Sequence, residues 1–126
     1  MTRKAISTDQ APSAIGPYSQ AIAANNLLFI SGQLPIDPTS GKIIDGDIGD
    51  KTRQILKNAG AIAEKAGTDL TKVAKTTIFL TDLADFQSVN AAYAEYFSED
   101  PPARSTVQVA ALPLASNIEI EFILAT

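Results

Sequence analysis

The stretch DIGDKTRQILKNAGAIAEKAG at residues 47–67, followed by KVAKTTIFL at 72–80, decides the fold class. In the first segment Ile48, Thr52, Ile55, Leu56, Ala59, Ile62, Ala63 and Ala66 recur at three- and four-residue steps, which is one face of a helix. Asp47 is a strong N-cap, and Gly67 supplies the left-handed exit. Gly60 inside the helix costs about 1 kcal/mol against Ala, and it predicts a close crossing over a sheet. The second segment is rich in β-branched residues and reads as a strand.

Upstream, YSQAIAA (18–24) and LLFISG (27–32) are strand-like and are separated by Asn25-Asn26, two residues able to take the positive φ of a tight hairpin turn. The polar opening dozen residues, with Pro12, read as a short strand or a loose arm. The span 32–46, with Pro35, Pro38 and Gly41, reads as a long loop. Downstream, a second helix is expected over 83–97, capped by Thr81 or Asp82 and stopped before Pro101-Pro102. Its apolar stripe is Leu83, Phe86, Val89, Tyr93 and Phe97. Strands at 104–110 (RSTVQVA) and 118–124 (IEIEFIL) follow, joined through Leu112-Pro113.

The order strand, strand, helix, strand, helix, strand, strand is that of an α+β protein whose two helices cover one sheet face. Yet Ile78 and Leu80 alternate with Phe79, and Leu28 and Ile30 with Phe29, so strands are apolar in both directions. Such strands are usually buried on both sides. A second subunit is expected to cover the other face.

A length of 126 residues fits a single domain, 1–126, large enough to fold without disulfides or a structural metal. The chain has no Cys, His or Trp. That excludes thiol nucleophiles, Ser-His-Asp triads and imidazole acid/base chemistry, and it leaves no ordinary zinc site. No Asp-rich loop has calcium-binding spacing; no metal is expected. The formal charge of −4 and the scattered cations oppose nucleic-acid binding. Nothing resembles a signal peptide or a membrane span, and the expectation is a cytoplasmic protein.

Several residues stand out. Asn90 falls inside the stripe of the second helix, where a buried amide must find partners, in a loop backbone or in a ligand. Arg104 opens a strand after Pro101-Pro102-Ala103. It is either solvated or in a surface ion pair, or its planar fork grips a carboxylate. Glu119 and Glu121, two apart, share one face of the last strand, opposite Ile118, Ile120, Phe122 and Leu124. They face a cleft or interface, or they are its solvated side. Ser31-Gly32 ends a strand, and Gly16-Pro17-Tyr18 makes a tight entry into the first; neither is a phosphate-binding loop.

The segments IGPYSQA (15–21), ISGQLP (30–35), KTTIFLTDLADF (75–86), VNAAYAEYF (89–97), PARSTVQVAALP (102–113) and IEIE (118–121) resemble the RidA (YjgF/YER057c/UK114) family across nearly the whole chain. The resemblance implies a chorismate-mutase-like α+β fold, a mixed sheet with two helices on one face. Three copies would form a homotrimer around a central barrel, with sites between adjacent subunits. It implies hydrolysis of reactive enamines and imines, such as 2-aminoacrylate and 2-iminobutanoate released by PLP-dependent dehydratases, to 2-oxo acids and ammonia, without a cofactor. By the same resemblance Arg104 binds the substrate carboxylate, Glu119 positions the attacking water, and Tyr18 closes the pocket. Ser31, Gly32 and Asn90 line it, and the backbone at Thr106 touches the substrate. Many relatives carry Cys where this chain has Thr106, so thiol-dependent properties do not transfer. The alternatives are a non-catalytic sensor of 2-oxo acids, an endoribonuclease or translation inhibitor, and a chaperone role for which no residue speaks.

Overall fold

The computed structural model describes residues 2–126. Eight strands run in chain order: β1 (Arg3–Ile6), β2 (Ala21–Ala24), β3 (Leu27–Gln33), β4 (Ile36–Asp37), β5 (Lys42–Ile43), β6 (Val73–Leu80), β7 (Ala103–Gln108) and β8 (Ile118–Ala125). Two α-helices, α1 (Ile48–Lys65) and α2 (Phe86–Ala94), separate them. The main sheet has the order β1-β2-β3-β8-β6-β7. Every neighbouring pair in it is antiparallel except β6 and β7. A parallel pair needs a crossover, and α2 supplies it. The sheet is therefore mixed and carries two helices, as the α+β reading expects.

Local signals explain the elements. Asp47 Oδ1 accepts from the Asp50 amide at 2.8 Å and Asp50 Oδ2 accepts from the Asp47 amide, a capping box that opens α1. Gly67, at φ 84°, closes the helix. The β2–β3 hairpin turns through Asn25 and Asn26 at φ 51° and 61°. The predicted face of α1 is buried, with Ile55, Leu56, Ala59, Ile62 and Ala63 packed against the sheet residues Leu28, Ile78, Ile118, Ile120, Phe122 and Leu124.

Four expectations need correction. The span 32–46 is not an open loop: β4 and β5 pair Ile36 with Ile43 across a turn in which Gly41 donates to the Asp37 carbonyl. The second helix is shorter than 83–97, because a 3-10 turn at Leu83–Asp85, capped by Asp82, precedes α2. Its stripe is narrower too. Val89, Tyr93 and Phe97 are buried, whereas Leu83, in the 3-10 turn beyond the edge of the core, is 44% exposed and Phe86, which opens α2, is 36% exposed. Gly60 does not serve a helix–sheet crossing: a Cβ there would meet Leu70 at an ordinary 3.6 Å.

On the helix side, Thr76 of β6 and Tyr93 of α2 share a buried hydroxyl–hydroxyl bond of 2.7 Å. Arg53 of α1 bonds both carboxylate oxygens of Glu95 just past α2, an exposed pair of small value. The opposite face carries Phe29 and Val107, each 42% exposed, with Ile123 and Phe79 paired beside them in the ladders. Among the described residues, no helix is long and apolar enough to cross a membrane.

Thr76→Val and Tyr93→Phe should each destabilise the fold by about 1–3 kcal/mol, since each strands a buried hydroxyl. The double variant should recover part of that loss. Denaturant unfolding of all four proteins checks this, and strictly additive losses would contradict it.

Candidate functional site

Strand β8 alternates strictly. Ile118, Ile120, Phe122 and Leu124 are 0–1% exposed on the helix side, so Glu119 and Glu121 project from the other face, as their spacing predicts. Glu119 is half-buried. It lies across β3 where the β3–β8 ladder breaks register between Ile30 and Gln33. A Cβ on Gly32 would stand 2.7 Å from Glu119 Oε2 and 2.8 Å from its Cδ, so the carboxylate passes there only because residue 32 has no side chain. Ser31 donates its hydroxyl to the Ser19 carbonyl at 2.6 Å, and its amide bonds the Gln20 carbonyl at 2.9 Å. Its role is to seat the bulge against the segment before β2.

Tyr18 stands at the mouth, more than half exposed, and its hydroxyl accepts from the Ile15 amide at 3.4 Å. Gly16, at φ 119°, makes the turn before it. Together Tyr18, Ser31, Gly32 and Glu119 line a cleft of about 470 Å³ that Ile15 and Pro113 border. Burial pushes the Glu119 carboxyl above the ordinary range, and the neighbouring Glu121 charge pushes the same way. At mildly acidic pH it is thus more readily protonated than a free carboxyl.

Arg104, Asn90 and Thr106 are elsewhere. The ladder pairs Thr76 with Arg104 and Ile78 with Thr106, which puts both β7 residues on the helix side of the sheet. Arg104 Nη1 donates to Asn90 Oδ1 at 2.8 Å, and its guanidinium lies 5.4 Å from the Phe86 ring centre and 5.1 Å from that of Tyr93. Asn90 does not tie down a loop backbone; its amide oxygen aims the guanidinium. No acidic side chain pairs with Arg104 among the described residues, where the ion pairs belong to Arg53. The surface-ion-pair expectation for Arg104 is corrected accordingly. Thr106 Oγ1 is buried with no hydrogen-bond partner. Burial raises the Tyr93 hydroxyl above its ordinary pKa, against the opposing pull of the Thr76 bond and the Arg104 charge.

The seven residues singled out from sequence thus fall into two groups on opposite faces: Tyr18, Ser31, Gly32 and Glu119 on one, Asn90, Arg104 and Thr106 on the other. Sequence reading missed three buried amides. Gln33, 6% exposed, donates to the Ser31 carbonyl at 3.1 Å beside the cleft. Gln20, 4% exposed, bonds the segment 8–12. Asn58, 1% exposed, donates to the Ile36 carbonyl at 2.9 Å and accepts from Gln54. Asn58 was findable by the argument that found Asn90, since it lies three residues after Ile55 and four before Ile62 on the apolar face of α1. Among the described residues no group of acidic side chains gathers to hold a metal ion.

A family profile described as Endoribonuclease L-PSP matches residues 8–126. The chain is 55% identical over 121 residues to Reactive Intermediate Deaminase A, chloroplastic, of Arabidopsis thaliana, covering 96% of this chain but 65% of that protein. It is 50% identical over 121 residues to the human 2-iminobutanoate/2-iminopropanoate deaminase, covering 96% of this chain and 88% of the human one. The crystal structure of YyfA, a Rid-family protein from Yersinia pestis, superimposes with a TM-score of 0.96 at 49% identity, covering 99% of this chain and 100% of that one.

Because the folded state raises the Glu119 pKa, it binds that proton more tightly than the unfolded chain does. The ionised carboxylate therefore detracts from stability, fully so above its raised pKa and not at all below the unfolded value of 4.5. Glu119→Gln should melt higher than wild type at neutral pH, with the gap closing on acidification; a constant or reversed gap in thermal scans would contradict it. Gly32→Ala should lower the melting temperature, and a second change to Glu119→Ala should relieve it by clearing the collision.

Proposed function

The chain belongs to the RidA (YjgF/YER057c/UK114) family, and we propose that it hydrolyses reactive enamines and imines such as 2-aminoacrylate and 2-iminobutanoate to 2-oxo acids and ammonia. The observation that carries this reading is the guanidinium of Arg104, which is held by Asn90 and two rings yet has no carboxylate partner among the described residues. A planar fork aimed in this way and left unpaired suits the carboxylate of a small 2-imino acid.

The reaction needs little beyond orientation. Water adds to the imine carbon, its oxygen forming the new bond while the nitrogen takes a proton. The carbinolamine then collapses, expelling ammonia and leaving the 2-oxo acid. Glu119 positions the water and accepts its proton, a task suited to a carboxyl whose pKa burial has raised. Tyr18 closes the cleft, Ser31 and Gly32 shape its floor, and the Thr106 backbone contacts the substrate beside Arg104. Positioned acid/base help contributes about 10²–10⁴-fold. Clamping the carboxylate adds an orientation term.

Arg104 and Glu119 occupy opposite faces of one sheet, so they cannot meet across a small molecule within one chain. The reading therefore requires an oligomer in which Arg104 of one subunit faces Glu119 of the next. The exposed apolar face bearing Phe29 and Val107 supplies a surface for it. A homotrimer of the chorismate-mutase-like type, its sheets lining a central barrel, satisfies both demands.

The test couples a threonine dehydratase, which generates 2-iminobutanoate, to detection of the 2-oxo acid. Wild type should accelerate its formation. Arg104→Ala should lose roughly 3–5 kcal/mol of substrate interaction, and Glu119→Gln should lose about 10²–10⁴ in rate. Wild-type activity should fall on acidification through a pKa above that of a free carboxyl. Refolding the two inactive variants together should restore activity in about a quarter of the sites by random assortment, because each supplies what the other lacks. Absence of rescue would rule out the intersubunit site. Binding of 2-oxobutanoate without any acceleration would replace the hydrolase by a sensor.

A further inference from the structure

Between β1 and β2, no strand pairing ties residues 7–20 to the sheet. Yet this arm is a wall of the Glu119 cleft, through Pro12, Ser13 and Ile15. Ala11 packs into the core and Ser31 bonds the Ser19 carbonyl, but over residues 8–12 the polar attachment runs through one side chain. Gln20 Oε1 accepts from the Thr8 amide at 2.7 Å, and its Nε2 donates to the carbonyls of Thr8 at 3.0 Å and Pro12 at 2.8 Å, with a longer contact to Ala11 at 3.4 Å. The amide is buried, and every side-chain hydrogen bond it makes goes to the arm. The arm in turn meets Tyr18, whose hydroxyl accepts from Ile15. Gln20's own backbone carbonyl takes the Ser31 amide at 2.9 Å, so the residue that holds the arm is also fastened to the bulge beside Glu119.

We propose that Gln20 is a positioning residue: by binding residues 8–12 it holds the arm as a fixed wall of the cleft and thereby sets substrate affinity. Gln20 itself borders the cleft, but its side-chain amide is turned to the arm, so its effect passes through Ile15 and Tyr18. A wall that contacts substrate and transition state alike lowers KM without raising kcat. The kinetic part of this inference rests on the hydrolase reading; the hold on the arm does not.

Gln20→Met keeps the volume of the side chain and removes its polar contacts. Amide hydrogen exchange of the intact protein should quicken roughly tenfold or more over residues 8–15, while the strands of the sheet keep their protection. KM for 2-iminobutanoate, and the dissociation constant for 2-oxobutanoate by calorimetry, should rise roughly tenfold with kcat nearly unchanged. Gln20→Glu keeps the acceptor for the Thr8 amide but sets a carboxylate against three carbonyls, and it should act in the same direction should the Met variant fold poorly. Ile62→Val, a change in the core of α1, controls for general destabilisation and should move neither the arm nor KM. Unchanged exchange over 8–15, an unchanged KM with a loosened arm, or a matching loss in Ile62→Val would each overturn the proposal. If wild type hydrolyses no imine, the function proposed above falls, and exchange together with 2-oxobutanoate affinity still decides the role of Gln20.

Discussion

The register of β8 between β3 and β6 is the constraint on which the remaining structure depends. With Ile118, Ile120, Phe122 and Leu124 all in the core, Glu119 and Glu121 must leave by the other face. A slip of one residue would drive both carboxylates into the core and four large apolar side chains out of it, so the burial that stabilises the sheet also fixes where the acidic pair stands. The same ladder runs on through β6 to β7. It hands Arg104 to the helix side, next to Thr76 and beneath α2. The separation of Arg104 from Glu119 is thus a consequence of strand register, and loop geometry has no part in it.

Around that frame the cleft is made by close approach and by buried amides. Gly32 lets the Glu119 side chain lie flat on β3 at a distance no Cβ would tolerate. Ser31 bonds the strand to residue 19, Gln20 holds the arm, and Asn58 reaches out of α1 to the carbonyl of Ile36 on the far wall. Each amide is deeply buried, where an unsatisfied polar group would be costly, so these contacts are specified as firmly as the apolar core. On the other face the guanidinium of Arg104 rests against Phe86 and Tyr93 and is aimed by Asn90. Phe86 is exposed for a helix stripe residue because its ring serves the arginine and not the core.

How much was legible follows from the range of each signal. The α1 face, its Asp47 cap and the Asn25-Asn26 turn were readable, because helix period, capping and positive-φ turns depend on neighbours a few residues apart. The length of the second helix is not legible, since a 3-10 turn and an α-helix leave similar patterns and only packing tells Leu83 from Val89. The β4–β5 hairpin escaped, being only two residues per strand amid prolines. Arg104 and Glu119 stood out by residue type and by resemblance, whereas Gln20 carried no local anomaly: a glutamine at a strand entry is ordinary until its four contacts are seen.

By itself the sequence determined the α+β class, the alternation that sends Glu119 away from the core, the apolar character of both sheet faces, and a chemistry without imidazole or thiol. Those properties reside in residue type and short-range period. Tertiary structure alone decided that β6 and β7 run parallel, that Glu119 crosses Gly32, that Asn90 aims Arg104, and that the two groups of site residues part across the sheet. These depend on which strands become neighbours and in what register, and that is settled by how the whole chain buries its apolar surface.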